Sequence, residues 1–236
     1  MRLDKFLAHA GIGTRKEVKE LIRKKRVSVN GVIQKKDDVK IDELKDEVCV
    51  DGEVIRYQQF VYYMLNKPQG VVSATEDKVH KTVVDLIKGY DHYHVHPVGR
   101  LDKDSSGLIL LTNNGDLVNE CLRAENGHEK EYIVEVDKKI TPEFLNKMSN
   151  GVKIYNPVNN SYVVTLPCKI KQINKFKFSI ILTQGYNRQI RRMCSAFDYH
   201  VRTLKRVRFM NLHLDVEEGK YRLLSDTEIK KLINKK

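Results

Sequence analysis

Over the first ten residues, apolar side chains return at the interval of a helix. Leu3, Phe6, Leu7 and Ala10 share one face, and Gly11-Ile12-Gly13 then interrupts the run. Thr14 with Glu17 three positions later is the reciprocal pairing that opens a second helix, since each side chain satisfies a backbone N–H near the other. That helix turns Val18, Leu21 and Ile22 to its apolar side and carries Arg15, Lys16, Lys19, Arg23, Lys24 and Lys25 on its other faces. The apolar interval then shortens to every second residue. Val27 to Ile33 alternates around Asn30-Gly31, a dipeptide suited to the positive φ angles of a tight hairpin. Val48 to Ile55 does the same around Asp51-Gly52. These signals predict a small unit of two helices and a few strands over residues 1–56, with Tyr57-Gln58-Gln59 as the junction to a larger domain over 60–236.

Beyond the junction the chain reads as many short strands with a few helices. Val61 to Leu65 and Leu108 to Thr112 are strand-like runs beside Lys-Pro and Asn-Asn-Gly turns. Tyr132 to Val136 alternates, as does part of Phe176 to Leu182. Thr141 and Glu143 begin a helix through Met148, and Asn187 to Phe197 reads as another. The economical fold class is α+β: a large, mainly antiparallel mixed sheet flanked by helices, preceded by the small N-terminal domain.

Composition sharpens this picture at a few points. At 41% hydrophobic and 31% charged, the chain is globular rather than disordered. Its 43 Lys and Arg outnumber 31 Asp and Glu, and the net charge of +12 favours a polyanionic partner. Residues 169–208 concentrate that charge, with eleven Lys and Arg against Asp198 alone, a surplus of ten. A solvated sheet edge is the plainer account of such a run, but its arginine share favours phosphate contact. Cys49, Cys121, Cys168 and Cys194 form no CxxC pair, so reduced thiols are expected and a metal site is not. The chain starts without an apolar leader and contains no apolar run of membrane-spanning length. A cytoplasmic protein away from membranes is the expectation.

Four stretches of the larger domain carry chemistry. Asn66-Lys67-Pro68-Gln69-Gly70-Val71-Val72-Ser73 runs from a strand into a turn. Gly99-Arg100-Leu101-Asp102-Lys103-Asp104-Ser105-Ser106-Gly107 is a glycine-bracketed loop before a hydrophobic strand, a setting that presents a carboxylate rigidly. Short Asp/Ser loops more often use such carboxylates as turn caps. His128-Glu129-Lys130-Glu131-Tyr132 leads into a strand, where a tyrosine is more often packing than chemistry. Gln184-Gly185-Tyr186-Asn187-Arg188-Gln189-Ile190-Arg191-Arg192-Met193 sets arginines near a helix start, with Arg188 and Arg191 spaced to share a face.

The N-terminal pattern resembles the small RNA-binding domain named after ribosomal protein S4, through Arg2-Leu3-Asp4-Lys5, Gly13-Thr14-Arg15, Leu21-Ile22 and Val27-Ser28-Val29-Asn30-Gly31. The four later stretches, in their order, resemble the pseudouridine synthases of the RsuA family, and their details look most like its RluF type. Ser105 stands where that family often has Thr, which keeps the hydroxyl. The resemblance implies isomerisation of uridine in ribosomal RNA, foremost 23S, with 16S or a tRNA as alternatives, and no cofactor. Carried over position by position, it places the catalytic aspartate at Asp102, the active-site tyrosine at Tyr132 and the active-site arginine at Arg191. RNA contacts are expected from Arg15, Lys16, Lys19, Arg23, Lys67, Arg100, Lys130, Asn187, Arg188, Gln189 and Arg192. Asp102 is then the nucleophile or the base that removes a ribose proton, with Arg191 as its cationic partner, and Asp104 is structural. The target base must leave its stack, at a cost of roughly a few kcal/mol. A monomer is expected. The rivals are a catalytically silent RNA-binding factor of ribosome assembly and a hydrolase that cleaves the same bond without rejoining it.

Overall fold

The computed structural model describes residues 1–43, 45–55, 60–88, 94–123 and 127–233. The chain forms two compact units: Met1–Val61 with Lys88–Val95, and Tyr62–Ile87 with His96–Lys236. The junction expected at Tyr57-Gln58-Gln59 lies outside the described residues.

The first unit contains α1 (Leu3–His9), α2 (Arg15–Arg23), β1 (Val27–Val29), β2 (Val32–Ile33), β3 (Val48–Val50) and β4 (Glu53–Val54). Thr14 opens α2 as its spacing predicts: its N–H donates to Glu17 Oε2 at 2.7 Å, and Glu17 N–H donates to Thr14 Oγ1 at 3.3 Å. Asn30 and Gly31 turn the first hairpin at φ 50° and 77°, and Asp51 and Gly52 turn the second at 53° and 84°. The strands form one antiparallel sheet in the order β2-β1-β3-β4. Leu3, Phe6, Leu7, Val18, Ile22 and Val27 are buried beneath it, each contributing about 1.5–3 kcal/mol on removal from water.

The second unit begins with β5 (Tyr62–Lys67), a single 3-10 turn at Val84–Leu86, β6 (His96–Val98), β7 (Ser106–Thr112) and α3 (Gly115–Leu122). There follow β8 (Lys130–Val136), α4 (Pro142–Ser149), the hairpin of β9 (Lys153–Asn156) and β10 (Ser161–Val164), β11 (Lys169–Gln172) and β12 (Lys177–Leu182). The unit closes with α5 (Gln189–Ser195), β13 (Val201–Phe209), β14 (Leu212–His213), β15 (Tyr221–Leu223) and α6 (Asp226–Ile233). Among the described residues the main sheet has nine strands along the path β11-β12-β8-β13-β7-β5-β15, with β14 on β13 and β6 on β7. Its pairings are antiparallel except β13 with β7. Every residue of β5 and β7 is buried, as both faces of a central strand require, whereas β12 alternates. No helix among the described residues is long and apolar enough to cross a membrane.

Two elements differ from the sequence expectation. The Asn113-Asn114-Gly115 stretch, read as a turn, starts α3, because Asn114 Oδ1 accepts the Leu117 N–H at 3.2 Å. The helix expected from Asn187 begins at Gln189 instead, because Arg188 holds a left-handed backbone at φ 51°.

One backbone contact fixes where the functional loop ends. Gly107 pairs with Arg206 across the parallel β7–β13 ladder. A Cβ at Gly107 would lie 2.2 Å from the Arg206 carbonyl oxygen, and φ there is +109°. No L side chain fits. Gly219, at φ +78°, has nothing within 4 Å of an added Cβ, so its substitution meets backbone strain alone. We expect Gly107→Ala to cost about 3 kcal/mol or more and Gly219→Ala about 1 kcal/mol in urea denaturation. Equal losses would contradict the close strand approach.

Candidate active site

The loop between β6 and β7 is held at alternate residues. Ser73 Oγ donates to the Leu101 carbonyl at 2.9 Å and accepts the Leu101 N–H at 3.0 Å. The Gly70 N–H donates to the Lys103 carbonyl at 2.8 Å, and Lys67 Nζ donates to the Ser105 carbonyl at 2.7 Å. Residues 67–73 thus grip positions 101, 103 and 105 in reverse order. Leu101 and Ser105 are buried, whereas Asp102 keeps 27% and Asp104 49% of its side chain exposed. A Ser105 N–H to Asp102 carbonyl bond of 3.0 Å tightens the intervening turn.

Two arginines from the turn and helix at α5 meet this loop. Arg188 makes a two-pronged pair with Asp104, both hydrogen bonds at 2.9 Å, and its guanidinium also lies 3.6 Å from Asp102. Its left-handed backbone lets it reach the loop from just before the helix. Arg191 donates to the Asp104 carbonyl at 2.9 Å, to Ser105 Oγ at 3.4 Å and to the Val201 carbonyl at 3.1 Å, and lies 3.3 Å from the Asp104 carboxylate. The cation nearest Asp102 is therefore Arg188, where the sequence suggested Arg191; Arg191 braces the loop backbone instead. The Arg188 fork, reinforced by Arg191, holds the Asp104 carboxyl below the usual carboxylate range. Asp104 is the anchored carboxylate of the pair.

Tyr132 sits in β8, half-buried against the core, opposite Ile180 on β12 and Arg206 on β13. Arg206 in turn faces Gly107, so Tyr132 lies two strands from the end of the loop, about 10 Å at the usual strand spacing. Among the described residues no hydrogen bond joins its phenol to Asp102. Arg206 is 2% exposed and donates from Nε to the Leu108 carbonyl at 2.7 Å, tying β13 to β7 from its side chain as well.

The residues expected to touch RNA separate into two groups. Arg100, Asn187, Arg188 and Arg192 are at least partly exposed around the loop and the α5 turn, and Arg192 donates to Asn187 Oδ1 at 3.0 Å. In the first unit, Arg15, Lys16 and Arg23 are exposed on α2, while Lys19 pairs with Asp37 at 2.8 Å. Arg15, Lys16 and Lys19 join Arg2, Asp4 and Lys5 around a hollow of about 540 Å³. Lys67, Lys130 and Gln189 instead spend their polar atoms inside the protein. Lys67 is fully buried, Lys130 donates to the His128 and Thr183 carbonyls at 3.1 and 3.4 Å, and Gln189 is 4% exposed with its Oε1 accepting the Tyr186 N–H at 3.0 Å. Ser73 and Gly107 stood in the sequence only as the ends of their stretches, because their roles arise from partners 28 and 99 positions away in the chain. Among the described residues no group of three or more His, Cys, Asp or Glu side chains is placed to share a metal ion.

A carboxylate exposed beside one guanidinium, on a loop whose alternate backbone groups are fixed, is equipped for nucleophilic or proton-abstracting work. The family model described as RNA pseudouridylate synthase matches residues 61–196, and the S4 domain model matches residues 1–43. The chain belongs to the RNA pseudouridine synthases of the RsuA family, with an S4 domain at its N-terminal end. It is 46% identical to the dual-specificity RNA pseudouridine synthase RluF of Escherichia coli K12, over 97% of this chain and 77% of that protein. It is 37% identical to ribosomal large subunit pseudouridine synthase B of Bacillus subtilis, over 98% of this chain and 95% of that one. A solved structure described as a pseudouridylate synthase superposes with a TM-score of 0.68 at 30% identity, covering 99% of this chain and all of that one.

Burial pushes the Lys67 ammonium down to about 8, against the attraction of Asp102, Asp104 and Glu218. The unfolded chain then holds this proton more tightly than the folded one, so the cost of burying the Lys67 charge fades as pH rises from about 8 towards its unfolded value. Compared with Lys67→Met, the wild-type chain should gain about 3 kcal/mol of stability between about pH 8 and 10.5, measured by urea denaturation at each pH. A difference that stays flat across that window would contradict the burial of a titrating ammonium.

Proposed function

We propose that this chain converts uridine to pseudouridine in 23S ribosomal RNA, with Asp102 as the reacting carboxylate. The observation that carries the reading is the division of labour in the loop: Asp104 takes the Arg188 fork, and Asp102 keeps an open carboxylate 3.6 Å from the same guanidinium. The 23S target follows the ribosomal large subunit named for the Bacillus relative and the 46% identity to RluF. Because RluF is called dual-specificity, a tRNA is the second target to examine.

The reaction breaks the ribose C1′–N1 bond, turns the base and joins C1′ to C5. N1 gains a proton and C5 loses one, so no electrons enter or leave. Asp102 attacks C1′ or removes a ribose proton; either route starts from the carboxylate that lies 3.6 Å from the Arg188 guanidinium. Tyr132 packs against the uracil and assists loss of the C5 proton. Arg191 keeps the loop in register through the Asp104 and Val201 carbonyls. Arg100, Asn187, Arg188 and Arg192 meet phosphates around the extruded nucleotide, while Lys67, Lys130 and Gln189 act from within by holding the segments that carry them. Arg15, Lys16, Lys19 and Arg23 of the S4 domain give a second contact and raise the local concentration of the active site on the RNA. We assign residues 1–56 to that RNA-binding domain and 60–236 to the catalytic one, acting as a cytoplasmic monomer.

Asp102→Ala should release no tritium from 23S ribosomal RNA labelled at uracil C5, at least 1000-fold less than wild type on the order expected for a lost nucleophile, while RNA affinity stays within about threefold. Near-normal release from the variant would refute the assignment. Silence of the wild-type chain on unmodified ribosomal RNA and tRNA would favour an assembly factor, and loss of the base without isomerisation would favour a hydrolase.

A further inference from the structure

The hairpin of β9 and β10 leaves an aromatic face open to solvent beside the α5 turn. Its register pairs Tyr155 with Tyr162 and Lys153 with Val164. The alternation of a strand puts these four on one face, and Ile154, Asn156 and Val163 on the other. The inner face is earned by packing: Ile154 is 3% exposed within the core, and Val163 lies against it. The outer face is not covered, with Tyr155 at 43%, Tyr162 at 68% and Val164 at 66% exposed.

This outer face is ordered despite its exposure. The Tyr155 and Tyr162 rings meet edge to face with centroids 5.6 Å apart, and Lys153 Nζ stands 5.3 Å from the Tyr162 ring centroid. The Tyr155 hydroxyl donates to Asn160 Oδ1, fixing the ring to the hairpin turn. Arg192 links the hairpin to the active-site turn, donating to the Tyr155 carbonyl and to Asn187 Oδ1. Asn187 adjoins Arg188, which reaches Asp102. Arg192 therefore ties the hairpin to the α5 turn, and Arg188 of that turn reaches the reacting carboxylate.

The geometry points to this face as a stacking platform for an unpaired nucleotide of the RNA substrate, flanking the uridine presented to Asp102. The inference rests on the RNA-modifying function proposed above and extends it to a recognition surface. Charge selects the occupant. Residues 144–197 contain nine Lys and Arg and no Asp or Glu, a setting that suits a polyanion. Every base presents a π-face to an aromatic ring, and Lys153 beside Tyr162 adds a cation for the adjoining phosphate.

Steady-state tritium release from unmodified 23S ribosomal RNA tests the platform through Tyr162, whose exposure makes its replacement mild for the fold. We expect Tyr162→Leu to raise KM about tenfold, the scale of one lost base stack, with kcat within about twofold, and Tyr162→Phe to restore wild-type KM. Tyr155→Leu should follow Tyr162→Leu. Independently of turnover, photocrosslinking of wild-type protein to 23S RNA substituted with 4-thiouridine should label the peptide spanning residues 153–164. An unchanged KM in Tyr162→Leu, or crosslinks that spare this peptide, overturns the platform. So does a dimer in sedimentation that the leucine variant dissociates while its RNA kinetics stay wild-type, because a second copy would then be the occupant. A wild-type chain that crosslinks at 153–164 but releases no tritium sinks the proposed activity and leaves the platform standing.

Discussion

The loop that carries Asp102 and Asp104 depends on three grips on its backbone. Ser73, Gly70 and Lys67 hold Leu101, Lys103 and Ser105, running antiparallel to them. The grips fix the backbone on both sides of the Asp102–Ser105 turn, from which Asp102 and Asp104 meet Arg188. Two of the chemistry-bearing stretches gain their meaning from this contact. The Lys-Pro turn after β5 is a cradle, and the Gly-Arg-Leu-Asp stretch is what it carries.

Two carboxylates two residues apart receive different fates from the same arginine. The fork of Arg188 satisfies both oxygens of Asp104 at 2.9 Å and approaches Asp102 only to 3.6 Å. A two-pronged guanidinium pair is geometrically demanding, and a carboxylate so engaged has little freedom to attack. Asp102 lies near the same cation without a hydrogen bond to it. The Ser73 and Lys67 contacts hold the backbone on either side of the two aspartates. Lys67 is an expensive strut, since burial works against its charge, yet it sits where Asp102 and Asp104 both attract it.

Much of this was legible in the sequence where the cause is local. The Thr14–Glu17 box, the hairpins at Asn30-Gly31 and Asp51-Gly52 and the β5, β7, β8 and β12 strands all follow from spacing and turn chemistry within a few residues. The family was legible through motif order. What the sequence concealed depends on distant partners or on backbone sign. Arg188 and Arg191 were read as neighbours on one helical face, but Arg188 precedes the helix in a left-handed conformation and takes the place beside Asp102 that Arg191 was expected to fill. Gly107 is required by the backbone of Arg206, which no local pattern announces. The aromatic face of the β9–β10 hairpin escaped notice because Tyr155 and Tyr162 come together only through a register that the intervening turn sets.

The account turns on which carboxylate meets the nucleoside while its neighbour stays anchored. An experimental structure of the chain bound to target RNA carrying 5-fluorouridine at the modified position measures this directly. The ribose C1′ of the extruded nucleoside should lie against the Asp102 carboxylate, with the Arg188 fork on Asp104 and the grips on residues 101, 103 and 105 intact. A nucleoside seated on Asp104 with the fork opened, or held beyond reach of Asp102, would contradict it.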